Sequence, residues 1–146
     1  MAYLVGISWF GQLLAWIAAL IAVIVAVVNY QQQTRLKQAE WLKSLFEKFF
    51  ESPTYKEVRV WLDYDTLHEH LTVGDAEKRR VNEEKFTDFL NFFEFIGVLY
   101  SHKHLTFAQV YDVFDYYLKK IAADADCREW IDQYSFEKLK ALLRQA

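Results

Sequence analysis

The apolar positions of this chain begin with one long unbroken run. Between Trp9 and Tyr30 only Gln12 is clearly polar in the interior, and the first charged side chain is Arg35. At about 1.5 Å of rise per residue, the run is roughly 31 Å long, which matches the hydrocarbon core of a bilayer. The pattern predicts a transmembrane helix within residues 1–34, with Trp9 and Tyr30 at the two membrane interfaces.

The flanks of this run favour a retained anchor over a cleaved signal peptide. A signal peptide has a basic segment before a shorter apolar core and ends in small residues, and the run lacks these features. The nearby basic residues all follow it; they are Arg35, Lys37, Lys43 and Lys48. Because basic residues next to a span stay in the cytoplasm, we expect the N-terminus outside and the C-terminal part inside a bacterial inner membrane. Arg35 and Lys37 would then anchor the inner end of the span. The single cysteine, Cys127, agrees with a reducing cytoplasm.

The two sides of the predicted span differ in side-chain size. At about 100° per residue, small or weakly polar residues fall on one stripe and its edge, whereas large apolar residues occupy the opposite face. The small side consists of Ser8, Gly11, Gln12, Ala15, Ala18, Ala22, Ala26 and Asn29. Small residues let membrane helices approach closely, so this side is predicted to pack against other copies of the chain. Around an axis, the same side would line a narrow pore. The alternative is that alanine is simply common in membrane helices.

The residues after the span predict one all-helical domain. No glycine or proline occurs between Leu13 and Ser52. The span is therefore predicted to continue as a stalk over residues 35–51, giving one helix of about 45 residues. A bundle follows over residues 53–146, and the whole of 35–146 forms the cytoplasmic part of an all-α fold.

Local capping signals give three helix starts in the bundle. The pair Ser52-Pro53 is typical of an N-cap followed by the first helical residue. Thr106 and Gln109 form a capping box, so a helix is predicted to begin at Phe107. Ser135 is predicted to cap the last helix.

One predicted helix is apolar on two sides. Residues 66–82 contain a Gly-Asp turn signal and are interpreted as a loop, and a helix is predicted over 83–101. A helix with two apolar sides is either central in its bundle or shared with another subunit. The candidates for such an oligomer interface are Phe92, Phe95 and Leu99.

Two His-x-His pairs raise the question of a metal site. His68 and His70 lie in the predicted loop, and His102 and His104 lie beside another. Imidazoles two residues apart can share a metal, and both pairs together would make a four-histidine site. Loop histidines are more often only polar, so no metal or other cofactor is predicted.

The remaining residues give no catalytic signature, and we expect a protein that is not an enzyme. No phosphate-binding loop, nucleophile elbow or zinc-protease motif occurs. Acidic neighbours raise the pKa of Cys127, which argues against a nucleophile. Glu94, inside a phenylalanine run, is either a buried carboxylate with a raised pKa or one paired with Arg59 or a lysine, and a core or interface ion pair is the favoured interpretation. The net charge of −3 argues against nucleic-acid binding, and the basic residues 78–80 suit solvent or anionic lipid headgroups.

A resemblance adds to this interpretation. Residues 86–121 combine an FLNFFE core, a short loop and an aromatic helix, and W-I-D with Y-S-F-x-x-L follows. The pattern resembles an uncharacterised bacterial family in which one N-terminal membrane helix precedes a small helical bundle. That family has no established catalytic residues to transfer. The layout is also similar to the membrane accessory protein of type VI-B CRISPR systems, which forms a ring-shaped pore. Such proteins are expected to carry an arginine followed four to six residues later by histidine, and this chain has no such pair.

Three hypotheses of function result. The leading one is a single-pass membrane protein that contacts lipid, associates with copies of itself, and forms a ring or pore in bacterial antiviral defence. The second is a membrane-tethered adaptor that binds a cytoplasmic protein without conducting ions. The third is a metal-dependent enzyme that uses the histidine pairs.

Overall fold

A computed structural model of the protein describes residues 2–145, with side chains at position 9 and from position 11 onward. Within this part the chain forms seven helices and no strand. The helices are α1 (Ala2–Glu51), α2 (Pro53–Asp63), α3 (Leu67–Thr72), α4 (Ala76–Ser101), α5 (Phe107–Ala123), α6 (Ala125–Gln133) and α7 (Glu137–Leu143). The predicted fold, a long N-terminal helix followed by a helical bundle, is confirmed.

The longest element, α1, is one uninterrupted helix of 50 residues. Its middle lacks glycine and proline, so nothing in the sequence breaks the backbone hydrogen bonds. The chain divides into two compact units inside this helix, Met1–Glu40 and Trp41–Ala146, and we call the second unit the bundle. The predicted boundary after residue 34 marks where the uncharged sequence ends, whereas this division follows packing.

The core of the bundle combines leucine side chains with a cluster of phenylalanine rings. Phe49, near the end of α1, is completely buried. Its ring lies 5.7 Å from the ring of Phe89, 5.4 Å from that of Phe93 and 5.4 Å from that of Phe114. Tilted and edge-on aromatic pairs at these distances are favourable beyond the area they bury. The last turns of α1 are therefore held in the same core as α4 and α5.

The central helix of the bundle is α4, which packs against α2, α3 and α7. It approaches α7 closely at Gly97. A Cβ atom at Gly97 would lie 2.7 Å from the backbone carbon and oxygen of Lys138, so only glycine fits this contact. The central position of the two-sided aromatic helix agrees with one of the two predicted alternatives.

Two of the three predicted helix starts are confirmed. The Ser52 hydroxyl accepts a hydrogen bond from the backbone N–H of Tyr55 at 3.4 Å, and Pro53 is the first residue of α2. At α5, the Thr106 hydroxyl accepts from the backbone N–H of Gln109, whose side chain accepts from the Thr106 N–H. These caps need only residues three apart, which is why the sequence shows them.

The predicted loop over residues 66–82 is wrong in most of its length. Leu67 and Leu71, four residues apart, are both buried and lie on the inner side of α3. Asp75 then caps α4 by accepting the backbone N–H of Lys78 at 2.8 Å, so this helix begins seven residues before the predicted start at 83. The turn signal itself is real, because Gly74 has a φ of 124°, a conformation that favours glycine.

The prediction that Ser135 caps the last helix is also wrong. Ser135 has a φ of 57°, in the left-handed region, whereas an N-cap residue needs extended backbone. The cap comes instead from Glu94 on α4. Its carboxylate accepts the backbone N–H of Lys138 at 3.1 Å and that of Leu139 at 2.7 Å.

Candidate functional site

The apolar run is the most unusual surface of the described chain. Every side chain from residue 11 to residue 30 is exposed, including large apolar ones such as Trp16 (75%) and Leu20 (62%). Among the described residues, one helix is long and apolar enough to cross a membrane, and it is α1. Isolated apolar side chains are normal on a water-soluble surface, but a continuous apolar helix without a partner is not.

The small side of the run follows one line along α1. Gly11, Gln12, Ala15, Ala18, Ala22, Ala26 and Asn29 all lie in regular helix and are exposed. An added Cβ at Gly11 would meet no atom within 4 Å. The side chain of Ser8, which the sequence also places on this side, lies outside the described residues. The structure thus shows the continuous helix on which the small side depends. Contact between copies through this side stays a prediction.

The predicted membrane anchors lie at the ends of this surface. Trp9 and Tyr30 are 67% and 72% exposed, so their rings are available to a membrane interface. Arg35 and Lys37 follow on the same helix, and both are exposed. The orientation of the span relative to a membrane stays a prediction.

The three interface candidates on α4 divide between core and surface. Phe92 is only 4% exposed, and its ring stacks on Phe49 at 5.2 Å. Phe92 is therefore a core residue of its own bundle, and its placement at a subunit interface is corrected. Phe95 is 53% exposed, and Leu99 is half-buried beside it. The outward side of α4 is thus narrower than the sequence indicates.

A surface groove accompanies Phe95, and the sequence pattern did not reveal it. We call it the α1–α4 groove and define it by Trp41, Leu45, Lys48, Asp88, Phe95 and Leu99. It contains two adjoining recesses, of about 380 and 220 Å³, and Phe95 lines both of them. Leu45 forms part of the buried floor, whereas Trp41 is 43% exposed at the rim. The helical periodicity of α1 gives Leu45 a buried side, but it does not identify the helix that faces it.

The histidine pairs do not assemble into a metal site. Within residues 2–145, no group of three or more histidine, cysteine, aspartate or glutamate side chains could hold a metal ion. His68 instead pairs with Asp126 of α6, at 3.0 Å between Nδ1 and Oδ1, and His70 stacks on Trp61 at 4.6 Å. The hydrogen bond to Asp126, and next its negative charge, raise the pKa of His68. His68 thereby links α3 to α6.

Cys127 is buried in the bundle, and so is Arg59. Burial, followed by the charge of Asp124, raises the pKa of the Cys127 thiol, so this thiol is not an activated nucleophile.

Arg59 lies over the ring of Phe50 at 4.7 Å and donates a hydrogen bond of 3.1 Å to the Phe50 carbonyl. The predicted ion pair of Glu94 with Arg59 or a lysine is therefore wrong, because Glu94 caps α7 and Arg59 donates to the carbonyl of Phe50 near the end of α1.

Comparison with known proteins places the chain in a family. Residues 16–145 match the family described as a domain of unknown function, DUF4760. The chain belongs to this family. Neither curated proteins nor solved structures gave a match. The resemblance to a family without assigned function is thus confirmed, and the match adds nothing to the resemblance to type VI-B CRISPR accessory proteins.

The extent of the match is informative about the DUF4760 domain. The match begins at residue 16, inside the apolar run, and continues to the end of the described bundle. The matched range contains Ala18, Ala22 and Ala26 of the small side and the residues that line the α1–α4 groove.

Proposed function

We propose that this DUF4760 protein is a single-pass membrane protein that associates with copies of itself through the small side of its span. The observation that carries this proposal is the fully exposed apolar helix between residues 11 and 30, with small and large residues on opposite sides. The large apolar side chains would contact the lipid tails. Because lipid is as apolar as leucine, the small side gains by close packing against another helix.

Two observations support a retained span over a cleaved signal sequence. The helix that contains the run continues without a break to Glu51, and its later residue Phe49 is buried in the bundle core. The family match also includes the second half of the run, whereas a signal sequence is removed from the mature domain.

The basic residues Arg35 and Lys37 support a cytoplasmic bundle. Protease treatment of intact and opened bacterial spheroplasts tests this orientation, because a cytoplasmic bundle is digested only after opening.

Self-association is tested by the mass of the purified full-length protein in detergent. Size-exclusion chromatography with light scattering should give a protein mass of several chains, each of 17.4 kDa. The double variant Ala18→Leu/Ala22→Leu should shift this mass toward one chain, because leucine keeps the helices apart. The control, Leu20→Ile/Ile24→Leu on the large side, should leave the mass unchanged. A clean monomer of the wild-type protein contradicts the proposal.

A pore is the finer form of the same proposal. Several spans around an axis would bring Gln12 and Asn29 of every copy to a narrow path through the membrane, and ions passing there would depolarise the cell. The antiviral context comes from the resemblance to type VI-B accessory proteins. Dye release from liposomes tests conduction: the wild-type protein should release dye, and Ala18→Leu/Ala22→Leu should change the rate. Intact vesicles with correctly inserted wild-type protein would contradict the pore and leave self-association standing.

A second candidate, the membrane-tethered adaptor, is favoured by a different surface. Phe46, Phe50, Tyr117 and Tyr116 form a continuous aromatic strip, with successive ring centres 4.5, 6.5 and 5.0 Å apart. Phe46 and Tyr116 are each about half exposed, and aromatic residues are enriched at protein interfaces. Capture of one stoichiometric protein by the full-length chain, lost in Phe46→Ser/Tyr116→Ser and with no dye release, would favour the adaptor.

A further inference from the structure

The α1–α4 groove has the shape of a surface that can receive a copy of itself. Phe95 lines both recesses and is 53% exposed. Trp41, Leu45 and Leu99 also line the smaller recess, of about 220 Å³. The surface therefore carries one half-exposed aromatic ring and one apolar recess, the two features that a knob-and-hole contact between helices of different copies requires.

Opposite charges lie at the other end of the groove. Lys48 of α1 and Asp88 of α4 both line the larger recess, and both are exposed. Within the described residues, neither takes part in an ion pair, although eight other ion pairs occur. One positive and one negative group at the same level of a surface make that surface complementary to a copy related by rotation.

The geometry of a two-fold axis brings these features together. An axis along the groove keeps the bundle parts of α1, from Trp41 to Glu51, parallel in the two copies. Rotation by a half turn then places α1 of one copy opposite α4 of the other, at the same level. Lys48 meets Asp88 of the other copy, and Phe95 meets the recess beside Trp41.

A second copy is favoured over lipid as the occupant. The bundle contains 15 lysines and arginines against 19 aspartates and glutamates, so its net charge repels anionic headgroups. Copies anchored in the same membrane also meet at a high effective concentration, so a small interface is enough to hold them.

We propose that the α1–α4 groove binds the same groove of a second copy about a two-fold axis, with two Lys48–Asp88 ion pairs and two inserted Phe95 rings. This inference rests on the proposed function, since it assigns to the bundle a contact between copies whose spans share a membrane. It makes a two-fold dimer the building unit of any larger assembly.

Disulfide trapping between two full-length copies tests the contact. Ser44 and Asn91 are exposed and line the larger recess from opposite helices, so the axis brings Ser44 of one copy near Asn91 of the other. A Ser44→Cys copy and a differently tagged Asn91→Cys copy, reconstituted together in liposomes, should form a mixed disulfide under mild oxidation. Cys127 is buried and can be retained. As the control, Ala125→Cys replaces Asn91→Cys and should give little mixed product.

A charge exchange in the same assay tests the ion pairs. Lys48→Asp or Asp88→Lys alone places like charges opposite each other twice per dimer and should lower the yield of mixed disulfide by about ten-fold or more. The two changes together in one chain should restore it. The controls Lys56→Asp and Asp112→Lys make the same charge changes at exposed positions outside the groove and should have no effect.

The outcomes separate this inference from the proposed function. A full yield in the single charge variants, or no mixed disulfide while light scattering still gives several chains, overturns the groove contact and leaves association through the span. No mixed disulfide together with the mass of a single chain in light scattering overturns both the groove contact and the association through the span. Near-ultraviolet circular dichroism should be the same for wild type and each variant if the packed aromatic core is retained.

Discussion

At the scale of the residue, Glu94 fixes the beginning of the last helix. Its carboxylate accepts two backbone N–H groups of α7, at Lys138 and Leu139. We predict that Glu94→Ala lowers the free energy of unfolding of the bundle by about 1–2 kcal/mol, because two N–H groups lose their acceptor. Glu94→Gln keeps one acceptor oxygen and should cost about half as much. Denaturant unfolding of the full-length protein in detergent, followed by tryptophan fluorescence, measures both; equal stability of Glu94→Ala and wild type would refute the capping role.

His68 makes the link between α3 and α6 depend on pH. Its pKa is raised in the folded protein by the hydrogen bond to Asp126, and next by the charge of Asp126. Protonated His68 therefore stabilises the fold below its unfolded pKa of about 6.5, and this contribution is lost as the pH rises through the higher folded value. We predict that wild type is more stable than His68→Ala at pH 5.5 and that this difference shrinks by pH 9.

Thermal unfolding in detergent across this pH range checks the prediction. The effect is small, because the His68 side chain is 73% exposed. In Asp126→Asn, replacing His68 should produce a much smaller pH-dependent difference, because only the weaker effects of Asp124 and Glu129 remain. A difference between wild type and His68→Ala that is the same at pH 5.5 and pH 9 would contradict the assigned ion pair.

At the scale of the element, α4 and α7 are held at a distance that only glycine permits. Gly97→Ala places its Cβ against the backbone of Lys138, which cannot move away as a flexible side chain would. We predict a loss of about 1–3 kcal/mol in the stability of the bundle. Unchanged unfolding of Gly97→Ala would mean that the two helices pack farther apart than the structure has them.

The elements also show how far sequence reasoning reaches. Ser52 and Thr106 cap helices through backbone groups three residues away, so their signals are local and both starts were predictable. α4 begins at Ala76, directly after its cap Asp75. Its first turns are mostly charged and lack apolar periodicity, so the sequence pattern does not reveal this helix start. The cap of α7 lies 44 residues away at Glu94, and no local pattern can reveal it.

At the scale of the whole molecule, the run from Trp9 to Tyr30 was predictable because length and composition alone define it. The exposed surfaces of the bundle were not. Periodicity gives α4 two apolar sides, but only the fold decides that Phe92 meets Phe49 while Phe95 meets solvent. For the same reason Lys48 and Asp88, 40 residues apart in sequence, are seen to share a recess only after folding.

We propose above that copies of this chain associate in a membrane through the small side of the span. Förster transfer between donor- and acceptor-labelled full-length copies in liposomes, with the labels at the C-terminus, measures this association. Transfer should persist as lipid is added in excess, fall strongly in Ala18→Leu/Ala22→Leu, and be retained in Leu20→Ile/Ile24→Leu. Transfer that falls in proportion to dilution, and equally in all three proteins, would rule out association through the small side.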